Sequence, residues 1–155
     1  LWIKNGGITT MMNFGYNRID DLKNLDKKYD TFVRNLTTHV ELDNCILVHA
    51  GFNFKEEDIY KDKNSMYWIR HYYADIDPAK INNKTIVHGH SARRFDTLEA
   101  EIAEKKYPAI NIDCGCVYHI KSGIGYLCAL DLDTFKPIFQ INTDKFDRVE
   151  GQVAI

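Results

Sequence analysis

The sequence predicts a mixed α/β fold built on a substantially buried sheet. Three observations carry that prediction. Cys45-Ile46-Leu47-Val48 and Thr85-Ile86-Val87-His88 are short, nearly continuous apolar runs, the pattern of strands covered on both faces. Residues 20–36 repeat apolar side chains (Leu22, Leu25, Tyr29, Phe32, Val33, Leu36) at a helical period on a charged background. Strand-like segments also outnumber confident helices along the whole chain.

Taken in order, Asp20 is the expected N-cap of a helix reaching about Leu36. Thr38–Leu42 and Cys45–His49 follow as two strands joined at Asp43-Asn44, a polar pair suited to a tight hairpin. Ser65–Ala74, rich in aromatics, reads as a short helix, and Thr85–His88 as a strand stopped by Gly89. Residues 93–107 are charged and weakly patterned, and are expected to form a variable insert. Ala109–Asp113 starts another strand, broken at Gly115. Gly125–Asp131 and Lys136–Ile141 close the chain as a hairpin across Leu132–Phe135. The 149–155 tail has no readable function.

The length of 155 residues suits one domain with a sizeable core. With 45% hydrophobic and 27% charged residues, the composition excludes disorder and low-complexity character. Twenty basic against 22 acidic residues leave a net charge of −2, with no electrostatic footprint for nucleic acid or an anionic membrane. No apolar run approaches the ~20 residues of a spanning helix. Cys45, Cys114, Cys116 and Cys128 lie in apolar, strand-like contexts. Free thiols in a reducing compartment are expected, with the cytoplasm as the default location. The chain opens Leu1-Trp2-Ile3-Lys4, as if inside a structured segment, so it is expected to be part of a longer protein.

Three of the six histidines stand at the ends of apolar strands: His49, His88 and His90. A rigid strand end is a common place for active-site groups. Ala50-Gly51 and Gly89 are small neighbours that leave an imidazole room to reach a metal or a substrate. The competing reading is a partly exposed, hydrogen-bonded side chain, and this is the expectation for His39, His71 and His119. Cys114-Gly115-Cys116 with His119 lacks the usual spacing of a zinc site. On a strand the two thiols would simply share a face. Arg70 has two readings, a helix-surface arginine over aromatic neighbours or a phosphate clamp. Arg93-Arg94 reads as solvated surface.

Four motifs occur in order: Leu47-Val48-His49-Ala50-Gly51-Phe52, Tyr67-Trp68-Ile69-Arg70, Ile86-Val87-His88-Gly89-His90-Ser91 and Asn111-Ile112-Asp113-Cys114-Gly115. Arg70 lies 21 positions after His49 and 20 before His90. Together they resemble the second half of bacterial-type serine/threonine protein phosphatases, within the calcineurin-like metallophosphoesterases. Trp2, Asn5-Gly6-Gly7 and Thr9-Thr10 look like the stretch after that family's Gly-Asn-His motif, so the resemblance runs from Trp2 to about Phe139. Departures are Ser91 for a usual threonine, Ala92 for a frequent proline, His88 at a position usually aromatic, and Cys114 for a common threonine.

The resemblance implies the C-terminal portion (1–155) of one metallophosphoesterase domain, a sandwich of mixed sheets flanked by helices. It implies a metal-dependent phosphoric monoester hydrolase, with a serine/threonine protein phosphatase as the leading reading. A symmetrical dinucleoside tetraphosphatase and a non-catalytic phosphatase-like binding module are the alternatives. His49 and His90 would each give an imidazole to one of two divalent ions, Mn²⁺ first, with Fe or Zn²⁺ as the other choices. Arg70 would bind the substrate phosphate, and His88, Ser91 and Asp113 would support that shell. The substrate would be a phosphorylated protein or a small phosphoester. The family's Asp-x-His, Gly-Asp-x-x-Asp and Gly-Asn-His motifs do not occur in 1–155, and are expected upstream of Leu1. This segment alone is expected to be nearly inactive.

Overall fold

The structure is a computed structural model and describes residues 2–3, 6–118 and 123–143. His119 and the 149–155 tail fall outside the described residues. The chain divides into two compact units, residues 1–37 and 38–155.

The first unit holds α1 (Gly7–Asn13) and α2 (Lys27–Arg34). The single helix expected from Asp20 is in fact two pieces, a 3₁₀ segment over Ile19–Asn24 and α2. Short polar side chains cause the break by competing for backbone N–H groups. Asp21 accepts from the Arg18 N–H at 2.9 Å, and Asp26, rather than Asp20, caps α2 by accepting from Lys28 N–H at 3.0 Å. Leu25 between them turns extended, with ψ near 134°.

The second unit is mixed α/β. Its elements are β1 (His39–Glu41), β2 (Cys45–Val48), α3 (Lys63–Trp68), β3 (Thr85–His88), α4 (Phe95–Glu104), β4 (Ala109–Asn111), β5 (Tyr126–Leu130) and β6 (Pro137–Ile141). A four-stranded sheet runs β1-β2-β3-β4, and β5-β6 form a separate two-stranded one. β1 and β2 are the expected hairpin, with Leu42 N–H closing the turn onto Cys45 O at 2.8 Å. β2, β3 and β4 are parallel, in the registers Ile46↔Ile86 and Val87↔Ile110. Parallel neighbours need crossovers, which are the segments carrying α3 and α4.

Alternation assigns the faces. Ile46, Val48 and Ile86 enter the main core with Phe52, Ile59, Met66, Tyr72 and Ile81, while Cys45 and Val87 are buried on the opposite face. The continuous apolar runs therefore mark a sheet covered on both sides. A smaller cluster gathers Leu98, Cys114 and Cys128 with Phe95, Tyr126 and Phe139.

Three expectations need correction here. Residues 93–107 are not an irregular insert, since Leu98 on α4 is fully buried and anchors the smaller cluster. α3 stops at Trp68, because Ile69 turns extended (ψ 138°) to pack on the main core, so Arg70 is not a helical residue. β4 ends at Asn111, and Cys114 and Cys116 flank a turn at Gly115 (φ +59°) instead of sharing a strand face. All four cysteines are free thiols. No helix among the described residues is long and apolar enough to cross a membrane.

Candidate functional site

Parallel register brings the chemistry to one edge. With Leu47 opposite Val87, the chain leaves β2 at His49 beside Gly89, and Gly89 N–H donates to His49 O at 2.9 Å. His49 and His90 thus emerge together at the carboxyl ends of adjacent parallel strands, the usual side for ligands in open α/β sheets. Their rings meet directly: His49 Nε2 and His90 Nδ1 are 3.1 Å apart. The Trp68 ring stands edge-on to His90, with centroids 5.8 Å apart.

His90 sits at φ +68°, a left-handed conformation that costs a non-glycine residue energy and persists only when neighbours enforce it. The enforcing bonds are visible. Ser91 N–H donates to Gly89 O at 2.8 Å, and Arg70 Nη1 donates to His90 O and Ser91 Oγ, both at 3.3 Å. Asn111, buried at the end of β4, donates to Ser91 O at 2.9 Å. Its Oδ1 accepts from Asp113 N–H at 2.7 Å, and Asp113 Oδ1 accepts from Gly115 N–H at 2.8 Å. A network from three strand ends thus holds one loop.

Burial, followed by the Arg70 and His49 charges, lowers the His90 pKa below its usual value and favours neutral imidazole. Its Nε2 is buried without a hydrogen-bond partner among the described residues. The neutral ring and the 3.1 Å between His49 Nε2 and His90 Nδ1 fit two donors on one divalent ion, while the orphaned Nε2 lies on the other edge of the His90 ring and takes no part in that pair. Nitrogen ligands at ~2.0–2.1 Å stand about 3 Å apart in neighbouring coordination positions. The fit stops there. Among the described residues no group of three or more His, Cys, Asp or Glu could hold an ion.

The structure brings His49, His90, Arg70 and Ser91 together, and Asp113 lines the same cavity as His90. His88 lines the smaller cavity with Arg70 and Ser91 but turns its ring away from the His49–His90 contact. It is 5% exposed, and its ring faces Tyr72 and Tyr73. His88 Nδ1–H donates to Gly89 O at 3.1 Å, which leaves Nε2 to accept from Tyr73 OH at 2.5 Å. Burial lowers its pKa to about 4 and raises that of Tyr73 to about 12. Gly51 is also explained differently from the expectation. A Cβ there would lie 2.2 Å from Tyr72 Cε1, so the missing side chain admits the Tyr72 ring, not an imidazole.

Half-buried His39 follows the expectation, with Thr38 Oγ1 3.2 Å from Nδ1. His71 is exposed and lines two cavities at the strand ends. Arg93 is not solvated surface. It lines both cavities and pairs with Glu101 at 2.9 Å, whereas Arg94 keeps an exposed pair with Asp96. Trp68, Tyr73 and Asn111 were not singled out from the sequence as site residues. Trp68 and Asn111 stand inside the quoted motifs, which was the signal available for them, whereas Tyr73 carried none. Comparison with models of known protein families, with curated proteins and with solved structures finds no match to this chain.

Proposed function

We propose that this chain supplies the phosphate-binding and second-metal portion of a metal-dependent phosphoric monoester hydrolase, part of a calcineurin-like sandwich domain completed by residues upstream of Leu1. Phosphoserine or phosphothreonine protein is the leading substrate, and a small phosphoester the second. The observation that carries the reading is the contact of His49 Nε2 with His90 Nδ1 at 3.1 Å, with Arg70 bonded to the same loop.

In this reading His49 and His90 would hold one divalent ion of a pair, Mn²⁺ before Fe or Zn²⁺. Such ions supply a nucleophilic hydroxide at neutral pH and polarise the phosphoryl oxygens. The chain's own residues have definite tasks. Arg70 keeps only neutral acceptors on Nη1, so its guanidinium is available to phosphate oxygens and to the charge that grows on them. The bond from Arg70 to Ser91 Oγ orients that clamp towards His90. Asn111 fixes the Ser91 carbonyl, and with it the His90 backbone.

The test is to express the reading frame extended upstream of Leu1 and measure Mn²⁺-dependent phosphate release from a phosphoserine peptide, together with bound metal. His49→Ala or His90→Ala should lower turnover and metal content together, and Arg70→Ala should lower kcat/KM by about 10²–10³ with metal retained. Full activity with normal metal in either histidine variant refutes the assignment. If the extended frame binds phosphate without hydrolysing any ester, the non-catalytic binding module replaces the enzyme.

A further inference from the structure

We infer that the strand-end cleft contains a second anion subsite at Arg93, so that its ligand is a phosphoester carrying a further anionic group beside the phosphate held by Arg70. The inference rests on the proposed role of Arg70 and specifies the substrate for that same site.

Two cavities meet at this edge. One of about 950 Å³ continues past His90 and Asp113, and the other, of about 460 Å³, runs back to Tyr73, His88 and Asn111. Arg70, His71, Ser91 and Arg93 belong to the walls of both. Each volume lies in the range of small-molecule sites, roughly 300–1,000 Å³. Two arginines therefore line both lobes of the cleft.

Both guanidiniums retain donor capacity. Arg70 donates through Nη1 to neutral oxygens. Arg93 is half-buried, its backbone N–H bonded to Asp113 O at 2.9 Å and its Nη2 to Glu101 Oε1 at 2.9 Å. A guanidinium has five N–H donors in a fixed fork, so one bond to Glu101 steadies the group and leaves most of it to a ligand.

The other lining groups do not compete. Asn111 is already bonded at both ends of its amide. His88 is occupied by Tyr73 and Gly89 O, and Asp75 at the smaller cavity is paired with Lys55 at 3.6 Å. Asp113, in the larger cavity, directs Oδ1 to Gly115 N–H. A ligand with one phosphate would satisfy Arg70 and leave the remaining N–H donors of Arg93, beyond the one held by Glu101, without an anionic acceptor. A second anion on the same molecule would satisfy both.

The measurement is equilibrium binding by calorimetry on the upstream-extended protein with EDTA present, so that metal plays no part. The probes are inorganic phosphate, 1,3-propanediol bisphosphate, and the peptides Ala-pSer-Ala and Ala-pSer-Glu. The bisphosphate should bind about 10-fold or more tightly than phosphate, the scale of an added charge-assisted bond. Arg93→Gln should abolish that advantage and leave phosphate within about 2-fold. Glu101→Gln, which breaks the same ion pair but keeps the guanidinium, should preserve it. An equal gain by Ala-pSer-Glu over Ala-pSer-Ala identifies an acidic phosphopeptide as the source of the second anion; a gain by the bisphosphate alone identifies a small molecule. Equal affinities for phosphate and bisphosphate overturn the subsite and leave the hydrolase reading standing. Equal losses in Arg93→Gln and Glu101→Gln also overturn it, because the ion pair's structural role then accounts for the effect. Absence of hydrolysis in the extended protein, by contrast, leaves this metal-free comparison unaffected.

Discussion

Replacing Gly51 by alanine should destabilise the fold through one identifiable collision. The new Cβ would stand 2.2 Å from Tyr72 Cε1, 2.5 Å from Cζ and 2.9 Å from Cδ1. The ring has nowhere to retreat. Tyr72 is 3% exposed, stacks on Phe54 at 6.2 Å and meets His88 edge-on at 5.6 Å. Overpacking of this kind costs about 1–3 kcal/mol, and the φ of +153° adds roughly 1–3 kcal/mol for a residue with a side chain. The combined loss of about 2–6 kcal/mol is a large share of an ordinary stability of ~5–15 kcal/mol. Urea unfolding at pH 7 should show a lower midpoint with an unchanged slope, and melting should fall by roughly 5–20 °C. Tyr72→Leu in the Gly51→Ala background should recover part of the loss, with a coupling of about 0.5–3 kcal/mol. A loss below about 1 kcal/mol, or no coupling to Tyr72, refutes the steric account and returns Gly51 to the imidazole-room reading.

Two further outcomes are expected. His88 is held neutral, with a pKa lowered to about 4 from 6.5 by burial. The unfolded chain therefore binds more protons between those values, and stability present above pH 6.5 is lost as the pH falls towards 4, by about 3 kcal/mol in all. His88→Phe should flatten that slope in urea titrations run from pH 7 to 4.5; an identical slope in both proteins removes His88 as its source. Leu98→Ala should cost about 2–5 kcal/mol, because Leu98 is fully buried against Cys114 and Cys128. A change under about 0.5 kcal/mol would return residues 93–107 to the status of a dispensable insert.

The fold was legible where one physical signal acted alone. The apolar runs of β2 and β3 announced a two-sided sheet, and Asp43-Asn44 announced its hairpin. Legibility failed where a side chain overrode a periodic pattern. Asp26 divided the expected first helix by capping a new one, and Ile69 ended α3 by entering the core. α4 was overlooked among its charged neighbours, although Phe95, Leu98 and Ile102 stand at i, i+3 and i+7, the spacing of one helix face. At the site, His49, His90, Arg70, Ser91 and Asp113 were readable from motif order. Arg93 was not, because a doublet of arginines looks the same in sequence whether it is solvated or lining a cleft. The direction of the His88 ring, towards Tyr72 and Tyr73, was not readable for a related reason. Position at a strand end says that a ring is near the edge, but alternation decides which face it enters.

The contact between His49 and His90 joins residues 41 positions apart. Closing a loop of that length costs roughly 3 kcal/mol of chain entropy beyond a constant, and the closure is made when β2 and β3 pair. During synthesis at ~5–20 residues per second, His90 leaves the ribosome roughly 2–8 s after His49. For that interval the first imidazole has no partner from this loop. Any ion that later spans the pair would recognise a completed topology, and its arrival would report that the nascent chain has threaded its parallel strands in the right order.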